Sequence, residues 1–145
     1  IRCKAKLDIL TMDAEWPGAF HVTDLKTCRT AQPGPFAAAC GRYGYHLQAV
    51  WYERAVKATM SHLKHCQSHN LIAVESYAPH AVAVYTLGER SLAAGHAIMD
   101  TLLQEYAACL NTGRFPGYSD LTIDVPEWAI RRAGIEEESV DEPNF

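Results

Sequence analysis

Between Ile1 and Met12 the side chains alternate, with Ile1, Cys3, Ala5, Leu7 and Ile9 on one side and Arg2, Lys4, Lys6 and Asp8 on the other. A period of two marks a strand with one buried face, because successive side chains of an extended chain point in opposite directions. A turn-forming stretch with Asp13, Glu15, Pro17 and Gly18 follows, then a second strand-like run near Ala19 to Thr27, so the pair reads as a β-hairpin. The pattern recurs at Asn70 to Tyr77 and Ala81 to Leu87, which are rich in β-branched and aromatic residues and flank a turn at Ala78, Pro79 and His80. Two hairpins with apolar faces need a common sheet and something to cover it.

The intervening segments supply that cover. Gln32 to Pro35 breaks the chain, and Pro35 suits the first residue of a helix. From Phe36 to about His65 the abundance of Ala, Leu, Gln and Lys predicts helix in two pieces, with the break around Gly41 and Gly44. Glu89 to Asn111 repeats Leu92, His96, Met99, Leu103, Tyr106 and Leu110 at helical spacing, and Gly113 sits just past its end. A short helix is expected around Pro126 to Ala133, then an acidic, flexible tail over residues 134–145. The expected fold is therefore α/β: a central mixed sheet built from two hairpins, with both long helices packed on it, in one domain spanning residues 1–133.

Composition narrows the function. A chain of 145 residues with 48% hydrophobic content can bury an ordinary core. It has no apolar run near the ~20 residues that a membrane-spanning helix needs. The five cysteines are odd in number, scattered and without C-x-x-C pairs, which disfavours a disulfide framework, a closed zinc site or an iron–sulfur quartet and predicts a reducing cytoplasm. The net charge of −4 conceals an asymmetry: residues 1–64 carry nine Lys/Arg against five Asp/Glu, and residues 65–145 four against twelve. A phosphate-binding face is thus expected from the first half.

The chemistry-bearing pattern is Asp8 at the end of one strand and Asp24-Leu25-Lys26 on the next. Period-two geometry puts Asp24 and Lys26 on one face, and antiparallel pairing can bring Asp8 alongside. Two carboxylates form a partial shell for a hard divalent cation such as Mg²⁺, which acidifies a bound water and neutralises charge on a phosphoryl oxygen. Lys26 can orient the attacking water and stabilise developing negative charge. Arg2, Lys4 and Lys6 share the face of Asp8, a basic strip suited to a polyanion. An isolated D-x-K on a solvated hairpin is the bland alternative. Gln48 and Tyr52 lie one helical turn apart, facing the same way.

The order of an Asp-ending strand, Asp24-Leu25-Lys26-Thr27 and then a Gln48-x-x-x-Tyr52 helix resembles the PD-(D/E)XK nuclease superfamily in its RecB-like branch. Within it the chain is similar to the RecE-like exodeoxyribonucleases (exonuclease VIII), through the Tyr43 to Gln48 stretch, Phe115-Pro116-Gly117-Tyr118 and Pro126-Glu127-Trp128-Ala129. The resemblance implies Asp8 and Asp24 as metal-binding carboxylates, Lys26 as the catalytic lysine and the Leu25 carbonyl as part of the metal shell. It further implies that Gln48 and Tyr52 support the site and contact DNA, while the basic strip read from the residues themselves is expected to bring Lys4 and Lys6 to the DNA as well. Leu7 stands where the superfamily's name has proline. The family's further ligand, a histidine or acid on an upstream helix, has no counterpart here, so part of the core is expected upstream of Ile1, and the fragment's activity is expected to be impaired. The implied activity is Mg²⁺-dependent, with Mn²⁺ as a substitute: exonucleolytic hydrolysis of double-stranded DNA in the 5′-to-3′ direction. It would serve recombination in a bacterium or its phage, alongside a single-strand annealing protein and as a homo-oligomer. The alternative function is a non-catalytic DNA-binding or assembly remnant of the same fold.

Three further features draw blander expectations. His62, His65, Cys66 and His69 read as a polar helix end, because four ligands from two turns of one helix cannot surround a tetrahedral ion. His96 reads as a core or interface histidine. Tyr43, Tyr45, Trp51 and Tyr52 read as core aromatics, with base stacking as the alternative.

Overall fold

In the computed structural model of the protein, which describes residues 2–118 and 121–134, four strands form one mixed sheet in the order β1-β2-β3-β4. β1 (Ile9–Met12) runs antiparallel to β2 (Ala19–Cys28), β2 parallel to β3 (His65–Glu75), and β3 antiparallel to β4 (Val82–Thr86). Two hairpins thus meet along a parallel seam, as the mixed-sheet expectation required. Parallel neighbours need a long crossover, and α1 (Pro33–Tyr43) and α2 (Tyr45–Thr59) provide it.

The helix break falls at Gly44 alone, while Gly41 lies inside α1. Gly44 adopts φ 67° and ψ 34°, a left-handed conformation that costs a side-chain-bearing residue roughly 1–2 kcal/mol. Its N–H closes α1 onto the carbonyls of Cys40 and Gly41, and its carbonyl accepts from the N–H groups of Leu47 and Gln48 to open α2. α1 begins at Pro33, two residues ahead of the expected Pro35.

Two apolar clusters form the core. Ala31, Phe36, Cys40, Leu71 and Ala73 make one, with Tyr45, Tyr85 and Leu87 around it. Phe20, Val22, Val56 and Leu63 make the other, with Leu7, Leu10, Tyr52 and Cys66 around it. Ala49, Val50, Glu53 and Val56 are the buried residues of α2, a helical stripe that includes one carboxylate.

Several boundaries differ from the sequence reading. Residues 2–8 are not in a strand: β1 is only Ile9–Met12, and Arg2, Lys4 and Lys6 are exposed on an irregular lead-in. The reason is lateral, since the Trp51 indole N–H donates to the Lys4 carbonyl at 3.2 Å and Leu7 packs into the second cluster, so this stretch follows α2 instead of the sheet. The second helix ends at Thr59, not near His65, and β3 begins at His65. Pairing of His65 and Cys66 with Ala19 and Phe20 draws this polar stretch into the sheet, tertiary pairing overriding local propensity. His65, Cys66 and His69 are therefore strand residues, and His62 lies in the preceding turn.

α3 (Glu89–Thr112) ends at Gly113 as expected, but it packs on α2 and not on the sheet. Gly95 is the point of closest approach: a Cβ there would lie 2.8 Å from the His46 carbonyl oxygen and 3.1 Å from Val50 Cγ2. Replacing a mid-helix glycine by alanine ordinarily stabilises by about 1 kcal/mol. Here the backbone contact reverses the sign, and Gly95→Ala is expected to cost about 1–3 kcal/mol in urea unfolding. Gly41→Ala, with nothing within 4 Å, is the control that should be neutral or stabilising.

The chain divides into two compact units, Ile1–Arg114 and Phe115–Phe145. In the second, α4 (Glu127–Arg132) starts after Pro126, whose carbonyl accepts from the Ala129 N–H at 2.7 Å. The expected acidic tail lies, beyond Gly134, outside the described residues. No helix among the described residues is long and apolar enough to cross a membrane.

Candidate active site

β2 carries the two residues at the centre of the site. Asp24 and Lys26 point from the same face of the strand toward α2, and both are largely buried. β1 pairs Ile9 with Thr23, so the register continued by one residue sets Asp8 opposite Asp24. Asp8 lies just before the strand, and its Oδ2 accepts the Leu25 N–H at 3.0 Å. A strand residue directs its N–H and C=O to the same side, so the Leu25 carbonyl also faces the edge where Asp8 sits.

From Lys26 a hydrogen-bonded chain runs into α2. The ammonium forms an ion pair with Asp24 Oδ2, donates to Gln48 Oε1 at 2.6 Å and stands 4.4 Å over the centre of the Tyr45 ring. Gln48 Nε2 in turn donates to the Tyr52 hydroxyl at 2.7 Å. The sequence-derived set of Asp8, Asp24, Lys26, Gln48 and Tyr52 thus converges, whereas Lys4 and Lys6 lie on the exposed lead-in. Of the aromatics, Tyr45 serves as the platform for Lys26, a part that sequence did not suggest. Tyr43 is exposed and stacks on Tyr45 at 5.8 Å.

The electrostatics of Asp24 are unusual for a surface-derived strand. Burial pushes its carboxyl above the ordinary carboxylate value; the Lys26 ammonium pulls it down, and the neighbouring Asp8 charge raises it again. Its Oδ2 is fully buried with no hydrogen bond of regular geometry. A cavity of about 10 Å³, close to the size of one water, is lined by Asp24, Gln48, Tyr52, His69 and Asn70. An under-compensated buried carboxylate beside a second carboxylate and a backbone carbonyl is a donor set that fits a hard divalent cation.

One turn along α2, a second polar cluster went unread in the sequence. Glu53 Oε2 is 3.0 Å from His69 Nε2, and its Oε1 binds the Lys57 ammonium at 2.5 Å. His69 and Lys57 together hold the Glu53 carboxyl down at about 2. His96, expected in the core or an interface, is half-buried, with Nε2 3.7 Å from Glu53 and Nδ1 3.3 Å from an Arg54 nitrogen. Burial and the Glu53 charge push the Cys66 thiol up to about 11, so little of it is thiolate at neutral pH. The signal that could have revealed the cluster is the burial of His69 once Cys66 and His69 are placed on a strand.

The arrangement of a mixed four-stranded sheet with acid and lysine on β2 and a Gln/Tyr helix across it belongs to a nuclease-like α/β fold. The crystal structure of a candidate exonuclease from Eubacterium rectale is similar over 90% of this chain and 57% of its own, with a TM-score of 0.54 and 13% identity, a likeness of fold. The chain therefore spans little more than half the length of that protein. The family model described as a PDDEXK-like domain of unknown function (DUF3799) matches residues 1–123, and the chain belongs to that family. No curated protein matches it.

Proposed function

We propose that the protein is a metal-dependent deoxyribonuclease of the RecE-like kind, with Asp8, Asp24 and Lys26 as its hydrolytic centre. The observation that carries this reading is the buried, under-neutralised Asp24 carboxylate, facing Asp8 and tied through Lys26 to Gln48 and Tyr52. Asp8, Asp24 and the Leu25 carbonyl would hold Mg²⁺ or Mn²⁺. Such an ion acidifies the attacking water and neutralises charge on the phosphoryl group.

The remaining roles follow from the protein's own side chains. Lys26 orients the attacking water and stabilises negative charge as it develops on the phosphate. Gln48 fixes the direction of the ammonium by accepting one of its hydrogens, and Tyr52 fixes Gln48 in turn. Arg2, Lys4 and Lys6, all exposed, draw the DNA backbone toward Asp8. The substrate is linear double-stranded DNA, degraded from an end in the 5′-to-3′ direction, leaving a 3′ overhang for a single-strand annealing protein in recombination. The protein works as a homo-oligomer in the cytoplasm of a bacterium, or of a phage's host, a compartment that suits five scattered cysteines without C-x-x-C pairs.

The test is digestion of linear duplex labelled at one end, with and without Mg²⁺ or Mn²⁺. Metal-stimulated shortening of the 5′-ended strand is expected. Duplex binding without cleavage by a folded protein would support the non-catalytic remnant instead, and absence of both would remove the DNA reading altogether.

A further inference from the structure

Beside the Asp24 cavity, whose lining includes His69, the described residues contain one group of three potential metal ligands of mixed type, Glu53, Cys66 and His69, whose donor atoms all lie within 4.8 Å of one another. Glu53 and His69 are buried and Cys66 is partly so. Glu53 comes from α2, and Cys66 and His69 from β3, so the donors approach from two elements and not from turns of a single helix. That removes the geometric objection to a closed site raised by a helical reading of this segment.

Two of the three donor spacings approach those around a tetrahedral ion, and all three lie within 4.8 Å. With Zn–S near 2.3 Å and Zn–N and Zn–O near 2.0–2.1 Å, a tetrahedral ion sets S···N at about 3.6 Å and N···O at about 3.3 Å. Cys66 Sγ lies 3.5 Å from His69 Nε2, and the same nitrogen lies 3.0 Å from Glu53 Oε2. Both lengths agree to within a few tenths of an ångström, but Sγ is also 3.9 Å from Nδ1 and so stands over the side of the ring, and the imidazole must turn to aim its Nε2 lone pair at an ion shared with the thiolate. Lys57 occupies the other carboxylate oxygen, Oε1, leaving Oε2 as a single donor. His96 is a poor fourth ligand, because Arg54 at 3.3 Å engages its Nδ1 and so favours hydrogen on the Nε2 that faces Glu53. A cavity of about 790 Å³ lined by Lys57, Lys64, His65, Cys66 and Gln67 opens on Cys66 and offers a way in.

We propose that Glu53, Cys66 and His69 form a binding site for Zn²⁺ or a similar borderline-soft divalent ion, distinct from the hard-ion site of Asp8 and Asp24. Binding releases the Cys66 thiol proton to solvent, and His69 binds as the neutral imidazole with its hydrogen on Nδ1 and its Nε2 lone pair toward the ion. A thiolate and a carboxylate then balance the dication, and a fourth position is left for water. The ion joins α2 to β3 one residue beyond Tyr52, so it would brace the helix that presents Gln48 to Lys26. The inference stands whether or not the chain cleaves DNA.

The test is a Co²⁺ titration of the chelator-stripped, reduced chain, followed by displacement with Zn²⁺. One equivalent of Co²⁺ should give tetrahedral visible bands and a near-ultraviolet thiolate charge-transfer band. Cys66→Ser should abolish the latter and weaken Zn²⁺ binding by on the order of a hundredfold or more. Asp24→Asn should leave the spectrum unchanged. A wild-type chain without the charge-transfer band, a band that survives Cys66→Ser, or one lost in folded Asp24→Asn would overturn the proposal. If Cys66→Ser does not fold, alkylation of Cys66 in the unaltered chain, read by peptide mass spectrometry, decides. Zn²⁺ should slow it at least about tenfold, and an unchanged rate would overturn the proposal.

Discussion

Asp24→Asn is expected to lower metal-dependent DNA cleavage by on the order of a thousandfold or more while leaving the fold at least as stable as before. The two outcomes come from one cause. Asp24 is buried with its carboxyl raised above the ordinary value of 3.8, so the folded state holds the proton more tightly than the unfolded chain does. Such a group favours the folded state at low pH, and that contribution is lost as pH rises from the unfolded value through the folded one. At neutral pH the charged carboxylate therefore works against the fold, and the neutral amide removes that opposition. Urea unfolding at neutral pH, with and without Mn²⁺, checks both halves: the metal should stabilise the parent chain and not the variant. A variant that unfolds would make Asp24 a structural residue. One that is folded and fully active would end the nuclease reading. Lys26→Met should cost about 10²–10³ in rate, since it removes the charge-stabilising donor while leaving the carboxylates in place.

Glu53→Ala is the substitution expected to harm stability most, by about 3–5 kcal/mol, because it leaves the buried His69 and the adjacent Lys57 without their common partner. The pH dependence carries the opposite sign to that of Asp24. Glu53 is held at about 2 against an ordinary 4.5, so its contribution is present in full above about pH 4.5 and is lost as pH falls through about 2. The shift corresponds to roughly 3 kcal/mol. Denaturant midpoints taken from neutral pH down to about pH 2.5 should show the parent losing stability along this limb and Glu53→Ala losing correspondingly less. Equal slopes in the two proteins would assign acid sensitivity to other carboxylates.

The site was legible to the extent that its residues obey local periodicity. Asp24 and Lys26 share a face because two residues separate equivalent positions on a strand, and Gln48 and Tyr52 meet because four residues make a helical turn. Where a neighbour decided the outcome, the sequence misled. The alternation from Ile1 to Leu7 satisfies the strand pattern, yet the Leu25 N–H is taken by the Asp8 side chain and the Lys4 carbonyl by Trp51, so the backbone leaves the sheet. The stretch from His65 to His69 has polar, helix-compatible composition, but the adjoining apolar run from Leu71 to Val74 pairs with β2 and carries it into β3. That single misplacement concealed the cluster of Glu53, Cys66 and His69, since its donors meet only when two of them come from a strand. The packing of α3 on α2 was equally hidden, because an apolar stripe says that a helix is covered and not by what.

The parallel seam between β2 and β3 also sets when the centre can exist during synthesis. Among the described elements made before α1, β2 has the four-residue β1 beside it, and a two-stranded ribbon is at best marginally stable in water. α1 and α2 must be made before the other neighbour of β2 begins at His65. The β3 side of Asp24 and Lys26 is therefore closed only after the helix that carries Gln48 has been made. A nascent or prematurely released chain ending before β3 lacks the sheet neighbour that encloses Asp24 and Lys26, so the cluster is assembled only once β3 has been made.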